Sequence, residues 1–187
     1  MNMPGGEFPI FADFEASSLS GDSYPIEIAW NIGLSIESHL INPYSIHSWT
    51  DWDPAAQAVH GLNRNYLSNH GEHPRTVAER MNQELGGQTI YFDGLPHDQW
   101  WMYALFEAVS VWPLFKLGDT QSLLIDLVES ATEYVFLAPM ERRKQSIELV
   151  QRVVTRFRAE QTVVHRAGED IKPYIQTWLY LQENLTW

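Results

Sequence analysis

Two carboxylates separated by one residue, Asp13-Phe14-Glu15, are the first group in this chain that can do chemistry. In an extended segment residues two apart project to one face, so Asp13 and Glu15 point together while Phe14 points the opposite way. Like charges held that close on a buried strand repel, and a divalent cation relieves them; if the strand frays at Asp13, both acids are simply solvated. A second acid, Asp98, follows Phe92-Asp93-Gly94-Leu95-Pro96-His97 and precedes an apolar helix. There it either caps the helix or faces a metal, and Asp93, nearer the strand, competes for that role. The third group is His165-Arg166-Ala167-Gly168-Glu169-Asp170, an imidazole just ahead of a helix-borne carboxylate. Glu169 is turned about 100° from Asp170 on a helix, so only one of the two can share a site. The fourth is His60-Gly61-Leu62, where Gly61 permits a tight turn and His60 either caps it or touches a ligand. With no cysteine anywhere in the chain, soft thiolate ligands are excluded, and the hard carboxylate oxygens suit Mg²⁺ or Mn²⁺.

The pattern of apolar residues indicates what must position these groups. Phe8 to Phe14 reads as a strand of mixed apolar character, as in a strand buried on both faces. Tyr24 to Leu34 alternates through Ile26, Ile28, Trp30 and Ile32, and Ser35 to Ile41 follows so closely that the two strands must be antiparallel neighbours. Asn42-Pro43 ends this meander. Asp53-Pro54 opens a short helix, with Asp as N-cap and Pro in the first turn. Pro74 to Leu85 is a further helix closed by Gly86-Gly87, Gln88 to Phe92 a brief strand, Asp98 to Ser110 an aromatic-rich helix, and Pro113 to Lys116 another strand. Helices then cover Thr120 to Glu133, Glu141 to Ala159, and a stretch from near His165 towards Gln182. The predicted class is α/β with a mixed sheet, since the meander demands one antiparallel strand.

Composition narrows the function classes. The chain has 187 residues, 44% of them hydrophobic and 13% aromatic, which fits one globular domain spanning 1–187 rather than a disordered or fibrous protein. No apolar run approaches the roughly 18 residues a membrane-spanning helix needs, and Met1 to Phe8 carries no Lys or Arg of the kind that opens a secretory leader. A cytoplasmic protein with no membrane partner is the expectation. The net charge of −12 argues against gripping nucleic acid by bulk phosphate neutralisation. The distribution is uneven: the first cationic side chain is Arg64, and most of the others, Arg142 to Lys172, lie in the last third. An acidic half facing a modestly basic one suits cations in one place and a polyanion in another.

Taken in order, the four groups resemble the DEDDh branch of the DnaQ-like 3′–5′ exonucleases, which includes proofreading exonucleases, ribonuclease T and oligoribonuclease and has an RNase H-like fold. The acid-x-acid motif of that branch, followed by small residues and a leucine, is similar to Asp13-Phe14-Glu15-Ala16-Ser17-Ser18-Leu19. Its Pro-led second strand resembles Tyr24-Pro25-Ile26-Glu27-Ile28-Ala29-Trp30, its His-Gly-Ile turn resembles His60-Gly61-Leu62, and its middle acid matches Asp98. Its closing H-x-x-x-x-D motif matches His165 to Asp170, so the likeness spans nearly the whole chain. Two departures stand out. Leu95-Pro96-His97-Asp98 replaces the usual Asn-type residue before a Phe-Asp pair, and Ser17-Ser18 stand where several relatives have Thr and Gly.

The resemblance implies a two-metal 3′–5′ exonuclease that releases nucleoside 5′-monophosphates from the 3′ ends of single-stranded DNA or RNA. Asp13 would bridge two Mg²⁺ or Mn²⁺ ions, with Glu15 and Asp170 completing one site and Asp98 serving the other. His165 would be the general base, which acts only when neutral, so activity should fall in mildly acidic buffer. The backbone after Glu15, at Ala16 and Ser17, together with Phe14, Leu19, His60 and Trp101, would contact the terminal nucleotides, with Trp100 a further stacking candidate. Compact relatives are often homodimers, which extends to this chain by analogy alone. Two other readings stay open on sequence: a phosphodiesterase of very short oligonucleotides, and a non-catalytic RNase H-like module that binds nucleic acid or protein.

Overall fold

The structure is a computed structural model and describes residues 8–161 and 165–186. The reading of Met1 to Phe8 as lacking a secretory leader falls mostly on residues 1–7, which lie outside the described residues. A five-stranded sheet runs in the order β3-β2-β1-β4-β5, with β1 Ile10–Ala16, β2 Pro25–Ile32, β3 Ser35–Leu40, β4 Thr89–Phe92 and β5 Lys116–Asp119. The meander β1-β2-β3 is antiparallel throughout, while β4 pairs parallel to β1 and β5 parallel to β4. The helices are α1 Pro54–His60, α2 Arg64–His70, α3 Pro74–Leu85, α4 Leu95–Ala108, α5 Thr120–Ser130, α6 Thr132–Val135, α7 Pro139–Ala159, α8 Ala167–Asp170 and α9 Lys172–Asn184. This mixed α/β arrangement is RNase H-like, and no described helix is long and apolar enough to cross a membrane.

Alternation along β1 divides its side chains between two cores. Ala12, Phe14 and Ala16 enter a core with residues of α3 and α4, including Met81, Trp101 and Leu105. Phe11 points the other way, into a core with Leu124, Val128, Val150, Tyr174 and Trp178 from α5, α7 and α9. Asp13 and Glu15 share the face of Phe11, so the sheet aims them at the side on which α8 lies.

Several boundaries differ from the pattern-based reading, each for a physical reason. β1 begins later and runs on to Ala16, because β2 pairs with it through Asp13↔Ala29 and Glu15↔Glu27 before a bulge between Glu15 and Ala16. Both acids therefore sit inside the strand rather than on a fraying end. Helix α4 begins at Leu95, with Pro96 in its first turn, so Asp98 lies one turn inside the helix and is not its cap. β5 lies three residues beyond the expected Pro113 start, since Thr89 pairs with Lys116 and the Leu114 amide instead bonds the Asn82 side chain. The helix expected after Thr120 divides at Ala131, and the last one divides at Ile171, next to Pro173, which has no amide hydrogen to continue it.

Candidate metal centre

The carboxylates converge. Asp13 and Glu15 of β1 and Asp170 of α8 each place an oxygen within 4.8 Å of the others. Asp98 approaches from the start of α4 and is 2% exposed, with Oδ2 buried and unpartnered. Crowding and burial leave their mark on every member. Burial first, and then the charges of Asp98, Glu15, Asp170 and Asp93, hold the Asp13 carboxyl well above the ordinary carboxylate range. Glu15 is pushed up to about 8, chiefly by burial and then by Asp170 and Glu27, with Arg166 opposing. Asp98 is raised to about 7 by burial, against the backbone at Gly94 and Phe14. Burial also raises Asp170, opposed by the charges of His165 and Arg158. A protein has little reason to assemble acids at this energetic cost unless a cation neutralises them. The donor set fits hard divalent cations: carboxylate oxygens only, one of them an orphaned buried atom.

The competing acids are engaged elsewhere. Asp93 accepts from Arg158 Nη2 at 2.7 Å and from Gln121 at 3.4 Å, so its charge is answered by a guanidinium. Glu169 is turned to Lys172 Nζ at 2.5 Å, leaving Asp170 alone of that pair in the cluster. His165 is exposed, directly before Arg166 and α8.

Beside the acids lies a cleft of about 320 Å³, lined among others by Phe14, Glu15, Ala16, Leu19, His60 and Trp101. Helix α1 forms one wall, with Asp53 capping the Ala55 amide through its side chain. Gly61, in the left-handed region at φ 71°, ends the helix and turns His60 inward. His60 Nδ1 accepts from the Leu62 amide at 3.0 Å, burial lowers the pKa of the ring, and its buried Nε2 has no partner. Leu19, 75% exposed, stands at the cleft mouth on a turn that Asp51 secures by accepting from Ser18 and Ser17. Ser17 is buried beneath that turn and does not line the cleft; its hydroxyl accepts from the Tyr24 amide at 3.1 Å. Trp101 is held by a 2.9 Å bond from Nε1 to Ser23, whereas Trp100 faces solvent.

Sequence reasoning missed the pair formed by Glu27 and Arg166. Glu27, on β2 opposite Glu15, is 1% exposed and accepts a two-pronged contact from Arg166, Nε at 2.8 Å and Nη2 at 2.7 Å. Ser38 and the Ala167 amide complete the carboxylate's contacts. The available signal was a single acid in the otherwise uncharged strand Pro25-Ile26-Glu27-Ile28-Ala29-Trp30-Asn31-Ile32, which a buried position obliges to find a cation.

No protein-family model matches the chain, and no curated protein matches it either. Solved structures similar to it include a zinc-bound complex of Escherichia coli exonuclease I with single-stranded DNA (TM-score 0.61, 15% identity, 89% of this chain and 38% of that one). The same enzyme with a dT13 oligonucleotide (TM-score 0.58, 14% identity, 94% and 40%) is also similar. So is a moderately thermophilic exonuclease I from Methylocaldum szegediense (TM-score 0.56, 12% identity, 92% and 39%). The chain thus spans about two fifths of the length of these proteins. At this identity the likeness establishes the fold, and it agrees with the family that the sequence motifs resemble.

Proposed function

We propose that the chain is a metal-dependent 3′–5′ exonuclease of the DEDDh kind, a single catalytic domain over 1–187 that releases nucleoside 5′-monophosphates from single-stranded DNA or RNA. The observation that carries this reading is the approach of the Asp13, Glu15 and Asp170 oxygens to within 4.8 Å beside the orphaned Oδ2 of Asp98. Asp13, central among them, would serve both of two Mg²⁺ or Mn²⁺ ions, with Glu15 and Asp170 on one side and Asp98 on the other. Bound there, two such ions supply Lewis acidity to the scissile phosphate and to water. The chain's own residues supply the rest. His165, exposed and therefore accessible to solvent, accepts the proton of the attacking water at an imidazole nitrogen. The cleft beside the acids holds the terminal nucleoside: Phe14 and Trp101 offer apolar walls, Leu19 enters between bases, and His60 Nε2–H donates to a sugar or base oxygen.

The test is digestion of 3′- and 5′-end-labelled single strands, RNA and DNA, with Mg²⁺, Mn²⁺ or chelator. A ladder shortening from the 3′ end that chelator abolishes supports the reading. Absence of product with either metal, despite binding of the strand, would favour a non-catalytic module, and cleavage confined to di- and trinucleotides would favour a short-oligonucleotide phosphodiesterase.

A further inference from the structure

Asp170 and His165 come from the same short segment but are secured differently. Helix α8 is anchored on both sides of Asp170's approach by Ala167, fully buried, and Ile171, 1% exposed, so its carboxylate is placed by packing against the sheet. His165 is exposed and, among the described residues, belongs to neither buried core. The side chain next to it, Arg166, lies instead across the sheet, where its guanidinium forks onto the buried Glu27 carboxylate at 2.7 and 2.8 Å. The Arg166 carbonyl in turn accepts from the Glu169 and Asp170 amides, so the residue is fixed at both backbone and side chain. Glu27 itself stands opposite Glu15 in the β1–β2 register, which ties this anchor to the strand bearing the metal acids. Pairing with Arg166 also keeps Glu27 out of the carboxylate cluster.

We infer that Glu27 and Arg166 form a positioning pair that sets the direction of the His165 imidazole over the acids of β1. The inference rests on the exonuclease reading above. A fork of two charge-assisted bonds fixes orientation as well as distance, which a lysine at the same place does not reproduce. Neither member belongs to the cluster of close acids or lines the cleft, and the pair acts through its neighbour.

The experiment is a double-mutant cycle on the 3′-end assay, combining Arg166→Lys or Glu27→Gln with His165→Ala and following kcat, KM and Mn²⁺ affinity. In the otherwise wild-type chain either pair variant should lower kcat about 10- to 100-fold while KM and Mn²⁺ affinity stay within about threefold. In the His165→Ala background the same substitution should change kcat by less than about threefold, because the group it positions is gone. Losses that multiply in full, or a parallel loss of Mn²⁺ affinity, would overturn the inference. So would an unaltered kcat in Glu27→Gln, which breaks the pair from the other side even where Arg166→Lys folds poorly. The wild-type control separates the two ideas: an inactive wild type overturns the exonuclease reading and this role with it, whereas an active wild type with indifferent pair variants overturns the pair alone.

Discussion

At the scale of single residues, the site is legible because its chemistry restricts residue types. Spacing puts Asp13 and Glu15 on one strand face but leaves a frayed, solvated end equally open; the structure keeps both inside the paired strand. The choice between Asp98 and Asp93 was not legible, because it depends on a partner 65 residues away in sequence: Arg158 engages Asp93, while Asp98 Oδ2 stays orphaned. Glu27 was passed over for the same reason, its cation lying 139 residues distant. The separation of roles predicts a clean division in mutants. His165→Ala should reduce kcat about 10²- to 10⁴-fold, the usual contribution of a general base, and leave Mn²⁺ affinity in a calorimetric titration unchanged. Equal loss of both would show the imidazole to be a ligand instead.

At the scale of elements, what matters is how strand ends and helix starts deliver the acids to one point. Gly94 is the clearest case. Its backbone, at φ −95°, suits any residue, but a β-carbon built on it would stand 3.1 Å from Asp98 Oδ2. Gly94→Ala should therefore crowd that carboxylate without straining the turn. Activity and Mn²⁺ affinity should fall about 10- to 100-fold, the range for groups that orient ligands, with little change in the thermal midpoint. The elements themselves were largely readable. The Pro74–Leu85 helix matches its pattern end to end, because Pro opens it and Gly86 closes it. The pattern gives α2 no bounds, as Leu67 is its only buried residue and a helix with one apolar contact has no periodicity to read. The strand expected at Pro113 to Lys116 was misplaced rather than missed, since Lys116-Leu117-Gly118-Asp119 carries no alternation and takes its register from pairing with β4.

At the scale of the whole molecule, the acids link stability to pH and, if they hold the proposed cations, to metal. Glu15, ordinarily near 4.5, sits at about 8 in the folded chain, and Asp98, ordinarily near 3.8, at about 7. Because these folded values are raised, the folded chain retains protons that the unfolded chain has released. The stability so contributed is complete below the unfolded values and is lost as pH rises through about 7 to 8. The metal-free thermal midpoint should thus decline from roughly pH 5 to pH 9, with a shallower slope in Glu15→Gln. Mg²⁺ should restore it by an increment that grows with pH, since cation and proton compete for the same oxygens. A midpoint indifferent to Mg²⁺ at pH 8 would contradict this linkage. The measurement that bears most directly on a two-ion carboxylate centre is anomalous scattering from a crystal of the chain soaked in Mn²⁺ with a nucleoside 5′-monophosphate. Two manganese peaks are expected about 3.5–4 Å apart, both within bonding distance of Asp13. Density at Asp13 without a manganese signal would contradict such a centre.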